Sequence, residues 1–299
     1  MPRLTSLWLQ VMPFLFVFLW STGFIGARFG LPYAEPLTFL FIRFVLTLLV
    51  LSVLLRVVGA SLPADFRLRV HIAVAGVLVH GVYLGSVFSA IYRGMPAGVV
   101  ALIVGLQPLL MAILARPWLG ERISGRQWLG IMLGLVGVVL VLGEQLEPGS
   151  MGRMFTDFGL DAVLLALLAL VGISVGTLYQ KRYCTGMDLL SGTLIQYVGA
   201  ALVLGAAAVV LETHTIDWTP TFVLTLLWLV FGLSIAAIML LMTLIRRGAA
   251  SSVASLFYLV PPVTAVEAWL LFGERLGLMA LVGIGVAVLG VALAVQQQR

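Results

Sequence analysis

Apolar stretches recur from one end of this chain to the other, each about as long as a helix must be to cross a hydrocarbon layer. An α-helix rises 1.5 Å per residue, so roughly 20 residues span about 30 Å. Broken at charged residues, glycines and prolines, the sequence yields ten stretches, near residues 9–29, 36–57, 69–91, 97–115, 125–143, 160–180, 188–211, 220–245, 250–272 and 277–296. Composition agrees: 62% of the 299 residues are hydrophobic, only 10% are charged, and the mean hydropathy is +1.17. A soluble globule could not cover that much apolar surface with polar groups, and barrel strands would be shorter and would alternate. The expected fold class is therefore an all-α integral membrane protein with ten transmembrane helices.

The first stretch, Leu7 to Phe29, is too long for the core of a signal peptide and lacks a small-x-small cleavage site, so it is read as a spanning helix. With the N-terminus cytoplasmic, the inside segments hold Arg3, Arg56, Arg67, Arg69, Arg116, Arg122, Arg126, Lys181, Arg182, Arg246, Arg247 and Arg299. The outside segments hold Arg28, Arg93, Arg153 and Arg275, and Arg43 lies within a span. This bias places both termini in the cytoplasm. The net charge of +5 is thus a topology signal; the basic residues form no stripe that would engage nucleic acid. The single cysteine, Cys184, excludes an internal disulfide.

The chain also reads as a duplication. Displacing it by 153 or 154 residues pairs Gly94 with Gly248, Ala101 with Ser255, Pro108 with Pro262, and Gly120-Glu121-Arg122 with Gly273-Glu274-Arg275. Gly130 then falls on Gly283, Gly137 on Gly290, Ser21-Thr22-Gly23 on Ser174-Val175-Gly176, and Arg28 on Lys181. The units are expected at residues 1–143 and 160–299, joined by 144–159. Each unit holds five spans, an odd number, so the second enters the membrane from the opposite side. Inverted repeats of this kind commonly enclose a midplane site exposed alternately to the two sides.

Trp20-Ser21-Thr22-Gly23 through Arg28, Leu40-Phe41-Ile42-Arg43-Phe44 and the two segments ending Gly-Glu-Arg resemble the drug/metabolite transporter superfamily, in its branch with two EamA-type domains. The resemblance covers essentially the whole chain. It implies ten helices, an inverted repeat, a central cavity lined by the first four helices of each half, and the fifth and tenth helices at the periphery. It points further to bacterial inner-membrane exporters of amino acids and related metabolites, aromatic amino acids among them.

Arg43 and Glu267 are the charges inside spans, about eight and six residues from the outer ends of their helices. Ions at such depth need a partner or a wet cavity, so the two are candidates for an ion pair or an outer gate; a purely structural pairing is the alternative. His80 and Tyr83 lie three residues apart and offer polar handles in an apolar cavity. Trp20, Gln107, Ser174, Trp228 and Tyr258 are also placed near midplane as candidate cavity residues. Pro108 and the Pro261-Pro262 pair are expected to bend the fourth and ninth spans. Gly130, Gly134, Gly137, Gly283 and Gly290 read as close-packing faces, against the bundle or a second protomer; the oligomeric state stays open.

Gly172-Ile173-Ser174-Val175-Gly176 matches the nucleophile pattern G-x-S-x-G but lies in an apolar helix rather than a strand-to-helix elbow. An intramembrane serine hydrolase using Ser174 and His80 is therefore the weaker reading, and no enzyme activity is expected. No P-loop is present, so ATP hydrolysis is not encoded. No lysine lies within a span to hold polyanions, whereas Glu267 keeps efflux of organic cations as the alternative substrate class. The expected function is secondary transport of small amphipathic metabolites by alternating access, with no cofactor or metal. Protons, exchanged through His80 or Glu267, are the candidate coupling ion.

Overall fold

A computed structural model describes residues 2–107, 109–111, 113–114, 125–144, 158–247, 259–273 and 277–295. The helices, in chain order, are α1 (Pro2–Gly30), α2 (Pro36–Val58), α3 (Phe66–Tyr92), α4 (Ala97–Val104), α5 (Gly125–Glu144), α6 (Leu160–Tyr183) and α7 (Leu189–Leu211). Then come α8, which runs through Pro220–Leu227, Trp228–Ala237 and Ile238–Arg247, and α9 (Val260–Phe272) and α10 (Leu278–Val295). Six of them, within α1, α2, α3, α6, α7 and α8, are long and apolar enough to cross a membrane; apolar segments of α4, α5, α9 and α10 are shorter.

Local chemistry starts and stops these helices. Asp65 and Asp188 accept hydrogen bonds from the first-turn amides of α3 and α7, and Thr219 does the same for α8 ahead of Pro220. Gly59 and Gly273 end α2 and α9 in the left-handed conformation, at φ 71° and 67°. Gly273 opens the second Gly-Glu-Arg, so the glycine of that motif is a helix stop; Glu274, Arg275 and the whole first copy, 120–122, lie outside the described residues.

Contacts between the halves come in related sets. Helix α1 packs on α8 and α9, and its counterpart α6 packs on α3 and α4; α2 packs on α8 as α7 packs on α3. The remaining pairs join equivalent helices: α2 with α7, α4 with α9, and α5 with α10. Backbones approach closely in the last pair. A Cβ at Gly137 would come within 2.5 Å of the Gly283 carbonyl, and one at Gly290 within 2.6 Å of the Gly130 carbonyl. Later residues of α10 therefore meet earlier residues of α5, so the two run antiparallel, and the glycine faces meet each other within one chain.

One end of the bundle is tied by polar contacts. Glu212, at the end of α7, accepts from the Leu37 and Thr38 amides at 2.8 and 2.7 Å, capping the first turn of α2 from across the interface. Glu35 reciprocates by accepting from the Thr213 and His214 amides, at 2.7 and 3.1 Å. Ala34 and Ile216 form an antiparallel bridge, and Arg93 pairs with Asp161. Phe29 and Arg28 of α1 sit against Phe272 of α9 at the same end.

The glycine interface carries a direct expectation. Gly137→Val or Gly290→Val should lower stability by about 1–3 kcal/mol, the usual cost of overpacking. Gly285→Ala, on the same helix as Gly290 but with open space at its Cβ, should be neutral. Thermal unfolding of the purified variants in detergent reads the difference; equal midpoints for all three would contradict the packing.

Candidate functional site

Arg43 leaves α2 towards α8 and is 2% exposed. Its Nη2 donates to Ser234 Oγ at 3.1 Å, and the same oxygen accepts from the Tyr197 hydroxyl at 3.1 Å. The guanidinium carbon lies 6.0 Å from the Phe44 ring centroid. Tyr197 in turn stacks on His80, with centroids 4.5 Å apart, and meets Phe44 edge-on at 4.9 Å. Four helices, α2, α3, α7 and α8, thus converge on one buried polar cluster. His80 thus reaches the cluster through its stack on Tyr197, and Tyr83, three residues on in α3, is buried at 8% exposure.

The backbone is irregular where this cluster forms. Helix α3 loosens into a π-helical turn over Val77–Val82, and α8 does the same over Trp228–Ala237. The repeat displacement carries Val77–Val82 into that second stretch. A π-turn widens the helix and re-aims its side chains, and such turns gather at functional positions. Here they aim His80 and Ser234 at the same tyrosine. The bundle is closely packed behind them: Gly172 and Gly176 of α6 lie against Leu78, Val79, Val82 and Tyr83, where an added Cβ would meet atoms at 2.7–3.3 Å.

The Arg43–Glu267 ion pair read from the sequence is not made. Arg43 donates to Ser234, whereas Glu267 on α9 accepts from Ser21 of α1 at 2.7 Å. The two side chains leave from α2 and α9, helices with no substantial packing between them, so similar depth did not mean adjacency. Both stay undersupplied: among the described residues, Nε and Nη1 of Arg43 and Oε2 of Glu267 are buried without a hydrogen-bond partner.

The other candidates are dispersed. Trp20 packs on Phe16 along α1, with centroids 5.4 Å apart. Trp228, 44% exposed, donates its indole N–H to Thr22 at 3.0 Å. Gln107 donates to Thr177 at 3.1 Å, joining α4's end to α6. Ser174 is wholly buried and donates to the Leu170 carbonyl of its own helix at 2.6 Å, the geometry of a packed helical serine rather than a nucleophile. Pro261 and Pro262 were expected within a bent span; in the described residues they occupy the first turn of α9, where a missing N–H costs nothing. Pro108 and Tyr258 lie outside the described residues.

Tyr197, Ser234 and the carboxylates Glu35 and Glu212 were not singled out from sequence. A signal existed for the first: the repeat displacement carries Arg43-Phe44 onto Gln196-Tyr197.

Comparison with known proteins bears on this geometry. The sequence profile of the EamA-like transporter family matches residues 7–143 and again residues 160–296. The chain is 27% identical to the uncharacterized transporter YvbV of Bacillus subtilis, over 93% of this chain and 88% of that protein. It is also 27% identical to an Escherichia coli protein named "probable amino-acid metabolite efflux pump", over 89% and 87% of the two chains. The E. coli inner membrane transporter YedA, uncharacterized in its name, is 25% identical over 92% and 86%. A solved crystal structure is similar in fold, with a TM-score of 0.67, covering 95% of this chain and 96% of its own at 18% identity.

The cluster can be tested on its own terms. Ser234→Ala removes the only hydrogen-bond acceptor that the buried guanidinium has among the described residues and should cost about 1–3 kcal/mol of stability, whereas Ser234→Ala combined with Arg43→Met should cost less than the two single losses added. Unfolding midpoints of the double-mutant cycle check this; strict additivity would mean that Arg43 and Ser234 do not interact.

Proposed function

The chain belongs to the EamA-like transporter family, with two EamA-like repeats, and from that premise we propose that it is a secondary exporter of small amphipathic metabolites, chiefly amino acids, aromatic ones included. It is a multi-pass membrane protein whose family and relatives are transporters rather than enzymes. Its partners in this reading are the lipid bilayer and a small-molecule solute.

The observation that carries the proposal is the way the halves meet. Contacts between them recur in repeat-related sets, and α5 and α10, which are equivalent, run antiparallel. That pattern supports a two-fold relation across the membrane plane, hence ten spans in two inverted units, 1–143 and 160–299, with cytoplasmic termini. Buried polar side chains with unused hydrogen-bonding capacity lie on the same interface. An interface that alternates between two arrangements would expose that capacity to each side in turn, which is alternating access. Under the positive-inside reading, the end tied by Glu35, Glu212, Arg93 and Asp161 faces outward. The bacterial inner membrane fits the relatives named for it.

The name of the E. coli relative supports amino-acid metabolites as the solute class, and the aromatic residues Trp20, Tyr83 and Trp228 would suit solutes with apolar side chains. Glu267, with an oxygen free of partners, keeps organic cations as the second reading.

Purified protein in proteoliposomes should take up labelled phenylalanine, threonine or methionine saturably and above empty vesicles. Faster uptake under an imposed pH gradient would identify protons as the coupling ion, and indifference to it a facilitator. Absence of uptake of every member by monodisperse protein would contradict the amino-acid assignment.

A further inference from the structure

Glu267 is 8% exposed and its carboxylate is served by a single hydroxyl. That hydroxyl, Ser21 Oγ, lies 2.7 Å from Glu267 Oε1 and 2.8 Å from the Phe18 carbonyl. It has one proton to give, so carboxylate and carbonyl compete for it. Oε2 has no partner, and among the described residues no basic side chain is within ion-pair distance.

Thr264 adds a second anomaly on the same helix face, three residues before Glu267. Four helical threonines turn their hydroxyls back to the carbonyl four residues earlier, Thr47 to Arg43, Thr177 to Ile173, Thr193 to Leu189 and Thr243 to Met239, and Thr22 and Thr38 find the Leu19 carbonyl and Glu212. Thr264 does neither, although it is wholly buried, and among the described residues its Oγ1 has no partner. Among the described residues, Glu267 Oε2 and the Thr264 hydroxyl three residues earlier thus lack partners, beside a Ser21 hydroxyl whose one proton is already shared between two acceptors. Burying a charge and a hydroxyl in this way is costly unless something with hydrogens to donate arrives.

We infer that Ser21, Thr264 and Glu267 form a subsite for the ammonium group of the transported solute. A primary ammonium brings one positive charge and three donors, which matches one carboxylate and two hydroxyl acceptors. Trp228 donates its indole N–H to Thr22, the residue after Ser21, so an aromatic ring sits on the same stretch of α1. The inference rests on the solute reading of the preceding section.

Three probes sharing a phenyl ring test it by calorimetric titration of the full-length protein in detergent: phenylalanine, phenylethylamine, which lacks the carboxylate, and phenylpropionate, which lacks the ammonium. Glu267→Gln and the near-isosteric Thr264→Val, each shown to be monodisperse, should weaken phenylalanine and phenylethylamine about tenfold or more and leave phenylpropionate within about twofold. Equal weakening of all three would overturn the assignment in favour of an inorganic coupling cation at Glu267. No weakening of any would overturn it outright. If the wild type binds phenylethylamine but not phenylalanine, and the variants lose it, the subsite stands and the amino-acid reading falls.

Discussion

Hydrocarbon supplies no hydrogen bonds, so every polar atom carried into the interior of such a bundle must find its partner within the chain or in a solute. In this protein several of those partners are taken from across the interface between the two repeats. Arg43 of the first reaches Ser234 of the second, Ser21 of the first reaches Glu267 of the second, and Glu35 and Glu212 each cap backbone amides of the opposite repeat. Neither repeat could bury these groups alone.

In the proposed alternating mechanism, that arrangement joins stability to movement. An ion held by one hydroxyl is secured weakly compared with a full ion pair, and it retains capacity for another partner. The glycine-lined contact between α5 and α10 has the opposite character, with backbone against backbone and no room to shift. We read the latter as the fixed seam and the polar contacts of α1, α2, α8 and α9 as the part that changes. The π-turns of α3 and α8 fit this division, since both lie in helices that bring side chains to the central cluster.

Much of the fold was legible in the sequence for a simple physical reason: a spanning helix must be long and apolar, so its existence is written in hydropathy. The repeat was legible because ordered glycines, prolines and a charged motif recur at a displacement of 153 or 154 residues. Gly273 shows how far such a reading reaches, since the motif located a helix end whose left-handed stop only coordinates reveal. Rotation of each helix was not legible: in α2 and α9 nearly every face is apolar, so no periodicity told which way Arg43 or Glu267 points. Their similar depth suggested a pair, and each instead found a serine. The π-turns left no trace for the same reason, because a change from 3.6 to a wider turn cannot be read where all faces look alike. Glu35 and Glu212 carry no sequence signal of their role, and only the contact of α2 with α7 sets them against backbone amides of the opposite repeat.

If the halves part and close in turn, a covalent tie across their polar end must stop transport. Ala34 and Ile216 form a β-bridge there, close enough for Ala34→Cys and Ile216→Cys to form a disulfide in a Cys184→Ala background. Uptake into proteoliposomes should be lost on oxidation of this variant and return on reduction, while each single-cysteine control stays active under both conditions. Undiminished transport by the fully crosslinked protein would contradict alternating access through an interface between the repeats.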